Sequence, residues 1–424
     1  MLDINLIREN PEYVRDGMEK VGADPSLVDR VLGLDEQWRS AVSDAEDLKA
    51  ERNRKSDQVR DASEEEREQL IEYLRGVGDR IDELDERAEG LREELDALML
   101  NMPNVPHEEA PVGEDESENV VLRTEGDKPE FDFEPLPHWE LGEKLGIMDF
   151  ERGVKMSGSR FYVLLRAGAR LQRALIAWMI DLHTRKHGYT EAYPPALVQG
   201  KCLVGTGNLP KFSENLYRDA EEDLWLIPTA EVPLTNLHRE EILDGDQLPL
   251  YYTAYTPCFR REKMKAGKDV RGIKRGHQFD KVELMKYVRP EESDRELRML
   301  LADAEEVCQG LQIPYRVVEM CTGDLSFVAA RKFDLEVWAA GCDEWLEVSS
   351  CSNLRDFQAR RAEIRYRPEP QASPDYVHTL NGSGLALPRV VIAVLENYQR
   401  SDGSVVIPPV LRDYMGGVER IEPC

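Results

Sequence analysis

Residues 256–287 read TPCFRREKMKAGKDVRGIKRGHQFDKVELMKY. The 424-residue chain has a formal net charge of −28, yet Arg260–Gly276 holds eight lysines and arginines against Glu262 and Asp269. Like charges packed this densely repel one another unless an anion answers them, so the stretch implies a bound polyanion. Two runs read as strands on either side, Phe259–Glu262 leading in and His277–Met285 leading out. Side chains alternate across a strand, which predicts that Arg260 shares a face with Glu262 and Phe279 with Glu283. An arginine, an aromatic ring and two carboxylates on one hairpin suit a nucleotide and an amine; an exposed lysine-rich hairpin is the alternative.

Towards the N-terminus the pattern becomes helical. Residues 1–26 form a short helical lead-in interrupted by Pro11 and Pro25. Val31, Leu34, Trp38, Ala41, Ala45 and Leu48 then repeat at three-four spacing, and Leu70, Leu74, Val77, Ile81, Leu84, Ala88, Leu91, Leu95 and Leu98 hold it longer. That is the seam of a coiled coil, with Asp61–Glu66 as the turn of an antiparallel hairpin and a second helix roughly 40 Å long. Residues 1–110 carry 31 acidic against 15 basic residues, so an RNA contact there falls to a local basic patch around Arg52, Arg54, Lys55 and Arg60. A dimerisation strut or protein-binding arm is the other reading of the same charges. Asn101 to about Pro137, with its acidic HEEAPVGEDESE run, reads as an exposed linker.

Beyond the linker the pattern is mixed α+β. Helical spacing covers Phe161–Arg185, Pro290–Leu311 and Val390–Arg400, and strand-like runs cover 224–227, 251–255, 315–320, 333–339 and 344–350. No glycine-rich phosphate loop with a following lysine is present, so a nucleotide must be held by side chains on a sheet. No run reaches the length of a membrane span, and the start lacks the basic and apolar regions of a secretory signal. Seven dispersed cysteines with no C-x-x-C pair favour reduced thiols in a cytoplasmic protein, with no structural zinc expected. Cys258, Cys308, Cys342 and Cys351 are expected as small buried hydrophobes.

Six segments in order then carry a resemblance: Gly205–Phe212 (GTGNLPKF), Ile227–Asn236 (IPTAEVPLTN), Phe259–Glu262 (FRRE), His277–Glu283 (HQFDKVE), Glu347–Ser350 (EVSS) and His378–Gly384 (HTLNGSG). Together they resemble the seryl-tRNA synthetases of common bacterial type, class II aminoacyl-tRNA synthetases, over essentially the whole chain. The resemblance implies an antiparallel sheet flanked by helices over residues 111–424, an N-terminal helical domain with a tRNA-binding coiled-coil arm over 1–110, and a homodimer formed partly through Pro194–Pro195. It implies ATP-dependent ligation of L-serine to tRNA(Ser) through a seryl-adenylate, with tRNA(Sec) as a second substrate.

Residue by residue, the resemblance assigns Arg260 to the α-phosphate, Glu262 to the adenine amino group, and Phe279 and Arg389 to stacking on the base, Arg389 alternatively to the γ-phosphate. Arg260, Glu262 and Arg389 are the catalytic set; Arg261, Glu347, Val348, Ser349 and Ser350 complete the ATP contacts. Glu347 and Ser350 would hold Mg²⁺, whose preference is for oxygen donors. Thr229, Ala230, Glu231, Glu283 and Ser383 would bind serine, and Lys265 and Arg271 would join the arm residues in holding tRNA. Without the resemblance, strand position favours Glu283 as a surface carboxylate paired with Lys281 or Lys286, and a helix-start or i,i+4 arginine is the commoner reading of Arg389. The chain departs from the usual pattern at Arg261, at Met264-Lys265, which make the loop bulkier and more basic, and at Pro388, where a glycine is usual. The rival readings are a relative that loads a carrier protein, a non-catalytic RNA-binding paralogue and an inhibitor-resistant duplicate. The intact seam speaks against the first, and the presence of Arg260, Glu262, Glu283 and Arg389 against the second.

Overall fold

The computed structural model describes residues 1–263 and 271–423. It divides into two units, Leu2–Pro103 and a larger one formed by Met1 and the chain from Asn104 onward.

The first unit contains α1 (Ile4–Glu9), α2 (Pro11–Lys20), α3 (Ser26–Gln58) and α4 (Glu64–Met99). Val31, Ala41 and Ala45 on α3 and Val77, Ile81, Leu84, Ala88 and Leu95 on α4 are buried, so the expected seam is the unit's core. Ascending positions on α3 meet descending ones on α4: Arg92 lies over the Trp38 ring, Lys49 pairs with Asp85 and Tyr73 donates to Glu51. The pair is therefore antiparallel. Its turn is shorter than Asp61–Glu66, because Ser63 and Glu66 form a reciprocal capping box that starts α4 at Glu64. The 36 residues of α4 make it about 54 Å long, more than the seam spacing alone predicted. One core position is charged. Asp35 is fully buried and accepts from Arg8 and from Arg39, each Nε bond measuring 2.9 Å.

The larger unit is built on an eight-stranded sheet: β1 (Val120–Glu125), β2 (Thr190–Glu191), β3 (Leu250–Phe259), β4 (Gln278–Val288), β5 (Tyr315–Glu319), β6 (Arg331–Ala339), β7 (Glu344–Asn353) and β8 (His378–Ala386). Their spatial order is β1-β5-β6-β7-β8-β4-β3-β2, antiparallel throughout except for the short β2–β3 pair. Strand β1 corrects the reading of 101–137 as an exposed linker, since residues 120–125 pair with β5 as the sheet's edge. The three long helices of this unit, α6 (Arg166–Arg185), α7 (Ser293–Leu311) and α8 (Leu387–Tyr398), follow the short α5 (His138–Lys144), with shorter helical turns between them. The α6 helix begins five residues later than Phe161 because Val163–Leu164 pairs as a short strand with Met148–Asp149.

Alternation along β4 sorts its side chains between two cores. Val282, Leu284 and Val288 pack with Leu171, Leu300 and Val391 of the three helices, whereas Met285 and Tyr287 pack with Ala230, Leu234 and Ala254 on the other face. Lys286 has the parity of the helix side, so it cannot be the partner of Glu283. Fully buried, it donates to Glu296 of α7 at 3.0 Å, and Tyr251 donates to the same carboxylate at 2.7 Å. Burial pushes Glu296 up, but Tyr251, Lys286 and Arg295 outweigh it and hold the carboxyl below its usual range.

Candidate active site

The face of β4 turned away from the helices carries Phe279, Lys281 and Glu283 at alternate positions. Antiparallel pairing sets Phe279 opposite Cys258 and Glu283 opposite Ala254, which gives each a fixed place on the sheet. Strand β3 stops at Phe259, earlier than expected. Arg260 still extends the ladder by donating its backbone N–H to the His277 carbonyl at 2.9 Å. Glu262 then turns out of it with φ +45°, so Arg260 and Glu262 do not share a strand face. The Arg260 guanidinium lies 5.1 Å from the Phe279 ring centre and donates through Nε to the Pro228 carbonyl at 3.1 Å. Glu262 accepts from Arg275 at 3.0 Å, and its carbonyl accepts from Arg160.

A second cluster depends on a bulge. Residues three apart lie on opposite faces of a regular strand, so Glu347 and Ser350 could not act together there. Pairing in β7 skips one residue: Glu347 faces Glu336, Ser349 faces Leu335 and Ser350 faces Asp334, which leaves Val348 as the extra residue. Glu347 and Ser350 thereby come to one face, with Ser350 Oγ donating to Glu347 Oε1 at 3.3 Å. Arg389, in the first turn of α8, donates to the Glu347 carbonyl and lies 3.8 Å from its carboxylate. Protein crowding pushes Glu347 up, and Arg389, Lys332 and Arg260 overcome this to hold it below the usual range. Asp334 on the neighbouring strand is raised to about 7 by burial and by the Glu347 charge, with Lys332 3.2 Å away opposing. Its Oδ1 is buried with no hydrogen-bond partner among the described residues. Two carboxylates and a hydroxyl, all oxygen donors with one buried oxygen unsatisfied, fit a hard divalent cation.

A third cluster lies next to a second bulge, on its regular side, where Glu283–Ser383 continues the register of Leu284–Gly382 and Met285–Asn381. Glu283 faces Ser383 while Val282 faces Leu385, so Gly384 is the extra residue of β8. Glu283 is buried, accepts from Thr229 Oγ1 at 2.6 Å and pairs with Lys281 at 2.5 Å. Ala230 is buried at the start of a one-turn helix, Glu231–Thr235, and Glu231 accepts from Gln358 at 2.7 Å. Burial and the nearby Glu283 raise Glu231 to about 7. Ser349 donates to the Ser383 carbonyl at 2.7 Å, which ties this cluster to the strand of Glu347.

The structure thus gathers Thr229, Ala230, Glu231, Glu283 and Ser383, and separately Glu347, Ser350 and Arg389. Arg261 is exposed, 5.7 Å from the Tyr217 ring, and Arg271 lies 4.4 Å from the Trp139 ring. Lys265 and the Met264-Lys265 departure lie outside the described residues. On α3, Arg54 is exposed and Arg52 half-buried, while Lys55 sits 3.9 Å from the Tyr73 ring; Arg60 lies exposed in the turn. Beside them Lys55, Asp61, Glu66 and Tyr73 line a shallow groove of mixed charge. Gln358, Lys332, Asp334 and Asn381, which bonds to Glu231, are not among the residues expected at the site, and Lys281 is expected only as a surface partner of Glu283. Lys281 and Asn381 stand inside the HQFDKVE and HTLNGSG segments, and two-residue spacing from Glu283 and Ser383 could have flagged both. Cys258, Cys308 and Cys351 are buried as expected, whereas Cys342 is half-buried and bonded to Glu396.

The family model described as the seryl-tRNA synthetase N-terminal domain matches residues 1–106, and the tRNA synthetase class II core domain (G, H, P, S and T) matches residues 211–398. The chain is 62% identical over 422 residues to a serine–tRNA ligase of Roseiflexus sp., covering 99% of both chains. It is 55% identical to the serine–tRNA ligase of Chloroflexus aurantiacus, with full coverage of each. Among solved structures it is similar to the seryl-tRNA synthetase of Pyrococcus horikoshii complexed with ATP, at TM-score 0.95, 42% identity and 100% coverage of both chains. The cytoplasmic serine–tRNA ligase of Naegleria fowleri in complex with AMP is also similar, at TM-score 0.89 and 34% identity, over 100% of this chain and 99% of that one.

Proposed function

The chain belongs to the seryl-tRNA synthetase family and is a serine–tRNA ligase, and on that premise we propose that the β3–β4 hairpin holds ATP and serine side by side for seryl-adenylate formation. The observation that carries this reading is that Phe279 and Glu283 share one face of β4, four residues and roughly 13 Å apart, with Arg260 beside Phe279. That separation lets a base stack at one end while an ammonium pairs at the other.

In this reading Phe279 and Arg389 receive the adenine ring and Glu262 its amino group. Arg260 clamps the α-phosphate through its planar guanidinium, with Arg261, Val348 and Ser349 nearby. Glu283, Thr229, Ala230, Glu231 and Ser383 receive serine. A serine carboxylate oxygen attacks the α-phosphorus as the bond to the β-phosphate oxygen breaks, so pyrophosphate leaves. Glu347 and Ser350 would hold Mg²⁺, which offsets phosphate charge when bound. A ribose hydroxyl of tRNA then attacks the activated carbonyl and AMP leaves, with positioning supplying much of the rate. Residues 1–110 serve as the tRNA-binding domain, through Arg52, Arg54, Lys55 and Arg60, and 111–424 as the catalytic domain, with Arg271 and Lys265 toward the acceptor end. We include tRNA(Sec) beside tRNA(Ser), a homodimer and a cytoplasmic setting. No helix among the described residues is long and apolar enough to cross a membrane.

The test is exchange of labelled pyrophosphate into ATP without tRNA, followed by charging of purified tRNA. Serine-dependent exchange and charging of tRNA(Ser) are expected; exchange without charging would favour a carrier-protein loader. A pH dependence follows as well. Glu231 is neutral below about pH 7 and anionic above it, and only the anion attracts the serine ammonium. The KM for serine should fall about tenfold between pH 6 and 8 and stay flat in Glu231→Gln. Equal pH profiles for the two proteins would remove Glu231 from the site.

A further inference from the structure

His138, Cys342 and Glu396 form a set whose ligating atoms lie within 4.8 Å of one another, outside the clusters assigned above. Spacing alone would admit a metal ion, but the hydrogen bonds argue otherwise. Ile273 donates its backbone N–H to His138 Nε2 at 3.1 Å, so Nε2 is the acceptor nitrogen and the ring proton sits on Nδ1. Nδ1–H then donates to Glu396 Oε1 at 2.8 Å, and the nitrogen facing the set carries a proton, not a free lone pair. The same carboxylate also accepts from the backbone N–H groups of His138 and Cys342, at 2.8 and 2.9 Å, and from the Cys342 thiol at 3.1 Å. Burial and Glu396 push that thiol up to about 12, far from a thiolate ligand, and burial lowers His138 as a neutral ring requires. All four donors to Glu396 are accounted for without a cation.

What the set does is join two distant parts of the site. Glu396 lies on α8 seven residues after Arg389, two turns along the same face. Ile273 is fully buried where the cationic loop returns toward β4. Gly272, with φ +69°, lies so close that a Cβ there would stand 2.0 Å from His138 Nε2. Arg271 covers the adjoining Trp139 ring, and Lys274 pairs with Glu344, three residues before Glu347. The returning leg is thus anchored to the helix of Arg389 and to the strand of Glu347 together. His138 is the link whose two nitrogens touch both sides, and both it and Glu396 have no exposed surface.

We propose that His138 is a positioning residue, whose single neutral tautomer sets the gap between Arg389 and the loop leg that follows Arg260 and Glu262, and so the fit of ATP between them. This rests on the assignment of those arginines to ATP. The experiment is pyrophosphate exchange by the full chain with ATP and serine varied separately, in His138→Ala, His138→Gln and Gly272→Ala. His138→Ala should raise the KM for ATP about tenfold and leave that for serine within about twofold, as expected for losing one buried acceptor. His138→Gln, whose amide oxygen can accept from Ile273, should recover most of the loss. Gly272→Ala attacks the same contact from the loop side and should reproduce the ATP effect if His138→Ala fails to fold. An unchanged ATP KM, an equal rise in both KM values, or no recovery in His138→Gln would overturn the proposal. Arg389→Ala separates the two levels: if it leaves the ATP KM unchanged, the ATP-site assignment falls and this inference with it. If Arg389→Ala acts and the His138 and Gly272 variants do not, only the inference falls.

Discussion

Arg260→Ala is expected to lower serine-dependent pyrophosphate exchange about a thousandfold in kcat/KM for ATP, or ~4 kcal/mol of transition-state stabilisation. The side chain is preorganised before any ligand arrives: its Nε is committed to the Pro228 carbonyl and its guanidinium carbon lies 5.1 Å from the Phe279 ring centre. No bond to its terminal nitrogens is recorded among the described residues, so the paired fork is open to phosphate oxygens. Charge develops on those oxygens as pyrophosphate departs, and a fixed guanidinium needs no reorganisation to meet it. Arg260→Lys should recover less than tenfold, because an ammonium restores the charge and not the two-point clamp. Steady-state exchange with ATP varied checks both variants. Activity of Arg260→Ala within tenfold of the parent would remove the residue from the α-phosphate.

Glu283→Gln should raise the KM for serine about a hundredfold while changing that for ATP less than threefold. The carboxylate is 2% exposed, so a charge-assisted bond to the serine ammonium there is worth about 2–3 kcal/mol. Glutamine keeps the volume and an oxygen that accepts from Thr229, but it loses the charge that answers both the serine ammonium and Lys281, which lies 2.5 Å from the carboxylate. If serine shares Glu283 with that lysine, Lys281→Met should tighten serine binding in the same assay. Equal serine KM values in parent and Glu283→Gln would refute the assignment.

Much of this site was legible in the residues, and the misses have common causes. Phe279 and Glu283 share a face, as alternation requires, because β4 is regular where it pairs with β3. Arg260 and Glu262 do not, since the chain leaves the ladder one residue past β3 and Glu262 takes a left-handed conformation. Glu347 and Ser350 owe their meeting to the bulge at Val348, whereas Glu283 meets Ser383 in the regular register between β4 and β8, a pairing that neither strand reveals alone. A bulge is set by the partner strand, so no local pattern announces it. Strand β1 was hidden for a related reason: all six of its residues are exposed and it gains identity only by pairing with β5. Buried charges such as Asp35 and Lys286 read as surface until the arginines of the first unit and Glu296 of α7 are seen to answer them. In the coiled coil, by contrast, the seam is a periodic property of each helix, and the structure follows it from Val31 to Leu95.

A crystal structure with a non-hydrolysable seryl-adenylate analogue shows whether one hairpin face holds nucleotide and serine together. The adenine is expected against Phe279, the phosphate isostere within hydrogen-bond distance of Arg260, and the ammonium at Glu283 and Thr229. An analogue bound with its base away from Phe279, or its ammonium out of reach of Glu283, would contradict that placement.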